Sequence, residues 1–133
     1  MGNSAQLLAD QIGKPLEVYA DPETAFVAGF IGSPPTNFLN ARTLGIGDGQ
    51  IDKFGIRPEH IVLSDEGARA RGTVLYAEAL GAETLVHVRL SDGEIATVRQ
   101  DSTLATPPEG SEAGLAWEAA REMRFDAAGK RIR

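Results

Sequence analysis

Hydrophobic and polar positions alternate with a period of two from Ala68 onward, with Arg69, Arg71, Thr73 and Leu75 on one side and Ala70, Gly72, Val74 and Tyr76 on the other. Such alternation predicts a half-buried β-strand. Gly72 predicts a bend in it, since a residue without a side chain marks a kink or a close approach. Leu80-Gly81-Ala82 ends the strand. Two further runs, 85–90 and 94–100, flank Ser91-Asp92-Gly93, and an Asp-Gly pair between such runs is a strong hairpin signal. With Asp92 and Gly93 as the turn, Ser91 faces Glu94, Leu90 falls opposite Ile95 and Val88 opposite Thr97, on a face expected to point inward. His87 is then expected on the other face, near Val98, as a surface or satisfied residue rather than a ligand.

The segment Phe54-Gly55-Ile56-Arg57-Pro58-Glu59-His60-Ile61-Val62-Leu63 holds two apolar runs around a proline that cannot donate to a ladder. It predicts a strand, a corner and a second strand. Arg57, Glu59 and His60 gather at that corner, where a guanidinium can hold a carboxylate or backbone carbonyls in a fork. Farther on, Thr106-Pro107-Pro108-Glu109-Gly110-Ser111-Glu112 predicts a rigid acidic turn before a strand at Gly114–Trp117. Trp117 reads as core, with ligand stacking as its other use. Met123 to Ile132 predicts a closing hairpin with Phe125 and Ile132 inward, while Glu118-Ala119-Ala120-Arg121 favours helix and leaves the last strand boundaries open.

Upstream the period changes. Pro15 opens a single helical turn with Leu16 and Tyr19 on one face. Asp21 caps and Pro22 opens a second helix, in which Phe26 and Phe30, and Val27 and Ile31, recur four apart before Gly32-Ser33-Pro34-Pro35 stops it. Phe26, Phe30, Phe38 and Leu39 are expected to staple this lead-in to the core, a partner face being the alternative. Gly45-Ile46-Gly47-Asp48-Gly49-Gln50 invites a phosphate-loop reading, but neither phosphate-loop spacing is met and no lysine or helix follows. A strand-to-strand loop is expected there.

GIRPEHI at residues 55–61, with QIGKPLEVYADPETAFVAGFIGSPPTNFLNA upstream, resembles the carboxy-terminal region of the ATP-binding subunits of ABC importers for sugars and glycerol-3-phosphate. The resemblance runs from about Gln11 to the end of the chain. In that family the upstream segment leaves the nucleotide-binding domain, and GIRPEHI opens a regulatory, transport-associated OB (TOBE) domain. Asn37-Phe38-Leu39-Asn40-Ala41 is similar to the family's lead into its first regulatory strand. Tyr76 to Val86 resembles its vExLGxExxV segment, and Met123 to Ile132 its closing hlFDxxtGxri. Glu78 reads either as a solvated strand residue or, by the resemblance, as part of the contact between regulatory domains in the family's dimer, with Gly81 beside it.

Composition narrows the functions. A net charge of −6 leaves no basic footprint for nucleic acid or an anionic membrane surface. Cysteine is absent, which removes disulfides and thiolate metal sites. No apolar window reaches the roughly 18 residues of a membrane span, and the first residues lack signal-peptide character. Met1 to Ala5 formally matches a myristoylation start but reads better as an expression remnant. Phosphoryl transfer needs a phosphate cradle, a lysine, a magnesium-binding carboxylate and a water-orienting residue, whereas the Gly-Lys pair at residues 13–14 is followed by Pro15. The two histidines lie in unrelated segments, and no metal-ligand spacing occurs.

The fold expected is all-β: an OB-like (TOBE/MOP-like) antiparallel barrel of about eight strands with a short N-terminal helical segment. Residues 1–10 are expected to be an expression remnant or the end of a nucleotide-binding domain, 11–36 a helical linker, and 37–133 the OB-like regulatory domain. The resemblance implies a non-catalytic regulatory and dimerisation domain, with no catalytic, cofactor or metal residue of its own. ATP and magnesium would belong to the domain upstream. Arg57 and Glu59 are expected to fix the corner, and Glu78 and Gly81 to form the contact. Implied partners are a second copy, membrane permease subunits reached through the parent's ATPase domain, and a regulatory protein. Nucleic acid is not among them. The implied location is cytoplasmic, on the inner face of the membrane within a transporter complex. The alternative is a small-oxyanion-binding barrel of molybdate type, for which Arg99, Ser102 and Thr103 are the available groups.

Overall fold

The alternating segments become strands. The computed structural model describes residues 34–45 and 49–133, and nine strands occur among them. The two helices expected from Pro15 and Asp21, with Phe26 and Phe30, lie outside the described residues. The chain divides into two compact units, one formed by Ile56–Arg121 and the other by Met1–Gly55 with Glu122–Arg133.

In the first unit, β3 (Val62–Leu63), β4 (Ala70–Ala79), β5 (Glu83–Leu90), β6 (Ile95–Asp101) and β7 (Glu112–Ala116) form an antiparallel sheet in the order β3-β7-β4-β5-β6. The sheet curls into a nearly closed, OB-like barrel. Its interior is made of the alternating apolar set: Val74, Val86, Val88, Val98 and Leu115 are each at most 1% exposed. Burying one such side chain contributes roughly 1.5–3 kcal/mol. Trp117 joins this interior, 7% exposed, as the core reading expects.

The β5–β6 register differs from the expected one by a single residue. Arg89 pairs with Ile95, Val88 with Ala96, His87 with Thr97 and Val86 with Val98. The turn is the reason. Leu90 N–H bonds to Glu94 C=O at 2.8 Å and Gly93 N–H to Leu90 C=O at 3.0 Å, so the loop has three residues, Ser91-Asp92-Gly93. Gly93 sits at φ 89, the left-handed residue that ends a three-residue hairpin loop, and the Asp92 carboxylate accepts from Glu94 N–H at 2.9 Å. A slip of one residue inverts a strand's faces. On β6, therefore, Ala96 and Val98 point inward, and Ile95 is 53% exposed.

The break in β4 also falls elsewhere. The ladder is regular through Gly72 and shifts between Val74 and Tyr76, so the bulge is at Leu75. Gly72 serves a close approach instead: a Cβ there would lie 2.3 Å from the Arg89 carbonyl oxygen.

In the second unit, β1 (Asn37–Asn40), β2 (Lys53–Ile56), β8 (Met123–Phe125) and β9 (Arg131–Ile132) form a sheet in the order β1-β2-β8-β9. Leu39, Phe54, Phe125 and Met123 are buried. Phe38 meets Phe125 edge-on, with centroids 5.8 Å apart, which places Phe38 and Leu39 in the unit's own core. A one-turn helix, α1 (Ala41–Leu44), stands where the sequence pattern gives none. It ends at Gly45, φ 67, whose N–H bonds back to Ala41 C=O at 3.0 Å, a left-handed glycine stop. Gly45 thus closes a helix, while 46–48 of the expected loop lie outside the described residues. Phe125 packs inward as expected. Ile132 is only half-buried, because β9 is a two-residue edge strand.

Candidate functional site

Two places carry the residues singled out in the sequence. The first is the corner. Pro58–His60 forms a 3-10 turn with proline at its start, where the missing N–H costs nothing, and β3 follows at Val62. Arg57 is 4% exposed, and Glu59 is exposed. Glu59 and Val62 line both of two hollows in this unit, so they form the ridge between them. One hollow, of about 480 Å³, has Arg99, Asp101, Leu104 and Pro107 on its far wall. The other, of about 460 Å³, has His60, Trp117, Glu118 and Arg121.

Electrostatics at the corner favour a neutral His60. Burial is the first cause of its lowered pKa and the Arg121 charge the second, opposed by Glu59. Its Nδ1 is buried with no hydrogen-bond partner, so a proton taken up there gains no acceptor. In the larger hollow the polar groups are committed. Arg99 Nε donates to Glu83 Oε1 at 2.9 Å, and Gln100 Nε2 to Ala105 C=O at 3.2 Å. Asp101 Oδ1 accepts from the Thr103 hydroxyl at 2.7 Å and its N–H at 2.9 Å. The hydroxyl and then the N–H of Thr103 hold the Asp101 carboxyl below its ordinary value. Two of the groups named for an oxyanion site, Arg99 and Thr103, are thus each bonded to a carboxylate.

The second place is the tip of the β4–β5 hairpin. Leu80 N–H bonds to Glu83 C=O at 2.8 Å around a two-residue turn in which Gly81, at φ 88, is the residue with positive φ. Glycine at the first central position suits a hairpin turn of the primed kind. Glu78 pairs in the ladder with Leu85, yet its carboxylate lies 2.7 Å from Nε2 of His87. His87 Nδ1 lies 3.2 Å from Thr97 Oγ1, and the Tyr76 ring stacks on the imidazole at 4.3 Å. The sequence pattern puts His87 near Val98 and names no partner for it. Setting the register from the Gly81 turn would have joined it to Glu78, because His87 is the diagonal neighbour of Glu78 two residues beyond Leu85.

Arg57 and Glu59 therefore sit on the corner and Glu78 and Gly81 on the hairpin tip, two separate elements of one unit. Among the described residues no group of three or more His, Cys, Asp or Glu side chains is arranged to hold a metal. No helix among them is long and apolar enough to cross a membrane.

A TOBE-domain family model matches residues 54–125, more than half of the chain, and the chain belongs to that family. The matched segment begins in β2 and ends with β8. Among individual proteins, the sn-glycerol-3-phosphate import ATP-binding protein UgpC of Rhizobium meliloti (strain 1021) is 37% identical over 143 residues, covering 92% of this chain and 39% of that protein. The maltose/maltodextrin import ATP-binding protein MalK of Vibrio cholerae is 36% identical over 121 residues, covering 71% of this chain and 32% of that protein. The lactose transport ATP-binding protein LacK of Rhizobium radiobacter is 31% identical over 153 residues, covering 95% and 42%. This chain spans well under half the length of these curated relatives. Among solved structures, the molybdate-bound cytoplasmic molybdate-binding protein ModG gives a TM-score of 0.47 at 20% identity, over 62% of this chain and 66% of that one.

Proposed function

We propose that the chain is the carboxy-terminal regulatory and dimerisation region of the ATP-binding subunit of an ABC importer for a sugar or glycerol-3-phosphate, and that it catalyses nothing itself. The observation that carries this reading is its alignment along 92% of its length to only 39% of an import ATP-binding protein. In this reading ATP and magnesium are handled by the part of such a subunit that this chain does not match. The module acts by binding energy. A contact between two copies that persists while the ATPase domains open and close keeps each domain at high effective concentration near the other. Its partners are a second copy, the permease subunits reached through the ATPase domain, and a regulatory protein that docks on the module. Its place is the cytoplasmic face of the membrane.

The test is a domain exchange. The segment of Rhizobium meliloti UgpC that aligns with this chain is replaced by this chain, and glycerol-3-phosphate uptake is measured in cells lacking their own subunit. Uptake within a few-fold of the parent supports the reading; uptake no better than that of UgpC lacking the segment, with the hybrid present at normal level, contradicts it.

A further inference from the structure

The two hollows beside the corner differ in how their polar groups are used. In the larger one Arg99, Gln100 and Asp101 are each bonded within the chain. The smaller one, of about 460 Å³, is lined by Arg121 and His60, and both have donors left over. Arg121 ends the 3-10 turn Ala119–Arg121 and is exposed. Its backbone N–H bonds to Glu118 C=O at 2.9 Å, but among the described residues no hydrogen bond or ion pair engages its guanidinium. His60 comes from the other 3-10 turn, Pro58–His60, and its Nδ1 is buried without a partner. A neutral imidazole carries one proton. On Nδ1 that proton would have no acceptor, so it belongs on Nε2, the nitrogen left to meet the hollow. Arg121 lies close enough for its charge to act on the imidazole. Two turns far apart in the chain thus bring two donors without acceptors to one cavity.

We propose that this hollow binds a small organic carboxylate, its carboxylate group held by the Arg121 guanidinium and the His60 Nε2–H and its apolar body resting against Val62 and Ala116. The planar guanidinium matches a carboxylate in a two-bond fork. Val62, 58% exposed, and the half-buried Ala116 line the same space, and a volume of this order is that of an ordinary small-molecule site. Glu59 and Glu118 also line it, so a second negative charge on the ligand would meet repulsion. That selects a singly charged acid over phosphate. The site shares no group with the oxyanion reading of Arg99, Ser102 and Thr103.

Occupancy and the protonation of His60 are linked. The charged groups acting on the imidazole are Arg121, Glu59 and Arg57, with Arg121 the strongest of them. A bound carboxylate neutralises Arg121 and adds a negative charge beside the ring, so the imidazolium form becomes easier to reach when the hollow is filled.

A site of this kind needs neither a second copy nor an ATPase domain, so the 133-residue chain is the material for its test. The probe is benzoate, with benzamide as its uncharged counterpart and inorganic phosphate as an anion without an apolar body. The readouts are the NMR signals of Trp117, the sole tryptophan, and of the His60 ring, with the His87 ring as the internal control. Benzoate is expected to move Trp117 and His60 saturably at millimolar concentration, to leave His87 in place, and to bind about fivefold or more tighter than benzamide or phosphate. At saturation the His60 titration is expected to move to higher pH. Arg121→Gln, at an exposed position, is expected to weaken benzoate about tenfold without moving the melting temperature, and Glu118→Gln to tighten it about twofold. No saturable shift by benzoate in the folded chain overturns the site, as does equal binding of benzamide or phosphate, or a benzoate midpoint unmoved by Arg121→Gln. Either way the reading of the chain as an importer segment stands or falls on its own test.

Discussion

Glu78 on β4 holds His87 on β5 across a diagonal of the ladder, carboxylate to Nε2 at 2.7 Å, while Tyr76 covers the other side of the same ring at 4.3 Å. With Thr97 at Nδ1, His87 has both ring nitrogens engaged, and its side chain is 14% exposed. The cluster fixes the outer half of the hairpin that the barrel interior does not cover. His87→Ala is expected to cost about 1 kcal/mol, because it removes a stacked ring and strands the Glu78 and Thr97 bonds at a partly wet surface. Glu78→Gln is expected to cost under about 0.5 kcal/mol, since an amide still reaches the ring and the carboxylate is half-exposed. Urea unfolding of the two variants measures both.

The three-residue turn makes the two sides of β6 energetically unlike. Val98→Ala is expected to destabilise by about 1–3 kcal/mol through loss of buried volume, and Ile95→Ala by under about 0.5 kcal/mol. The register expected from a two-residue turn would reverse that order. Chemical denaturation of both variants decides between them.

How far the sequence could be read follows from which forces set each element. The strand, corner and strand around Pro58 were legible because a proline and two apolar runs act locally, and the barrel class followed from spacing and resemblance. The β5–β6 register was not legible. It depends on whether Ser91 belongs to the strand or the loop, a choice made by Asp92 bonding to Glu94 N–H and by the interior preferring Ala96 and Val98. The bulge at Leu75 was equally hidden, because Gly72 gave a stronger local signal although its bareness answers to Arg89 across the ladder. Arg57, Glu59, Glu78 and Gly81 are picked out by motif and resemblance, whereas the bond between Glu78 and His87 needed the register.

Glycines at 72 and 81 are expected to fail differently. Gly72→Ala drives a methyl to 2.3 Å from the Arg89 carbonyl oxygen, a clash within a paired ladder expected to cost about 2–3 kcal/mol. Gly81→Ala meets nothing within 4 Å, and its cost of about 1 kcal/mol comes from φ 88 alone. Gly81→Asn is expected to recover part of that loss and Gly72→Asn none. Thermal melting of the four variants reads the contrast.

His60 gives the fold an acid sensitivity. Burial and the Arg121 charge lower its folded pKa below the ordinary 6.5, so the unfolded chain binds the proton more readily. Stability is full above 6.5 and is lost as the pH falls from there through the folded value. The stability of His60→Gln relative to the parent is expected to rise on going from pH 7.5 to about pH 5, measured by urea midpoints across that range. An unchanged difference would remove His60 as the source.

The claim that the chain contributes contact rather than chemistry is tested most directly by ATP turnover. Purified chain is incubated with saturating ATP and magnesium, and phosphate release is followed against protein concentration. The expected slope is zero within the error of a buffer control. Phosphate release that rises in proportion to the chain and persists through a second, unrelated purification step would contradict the account.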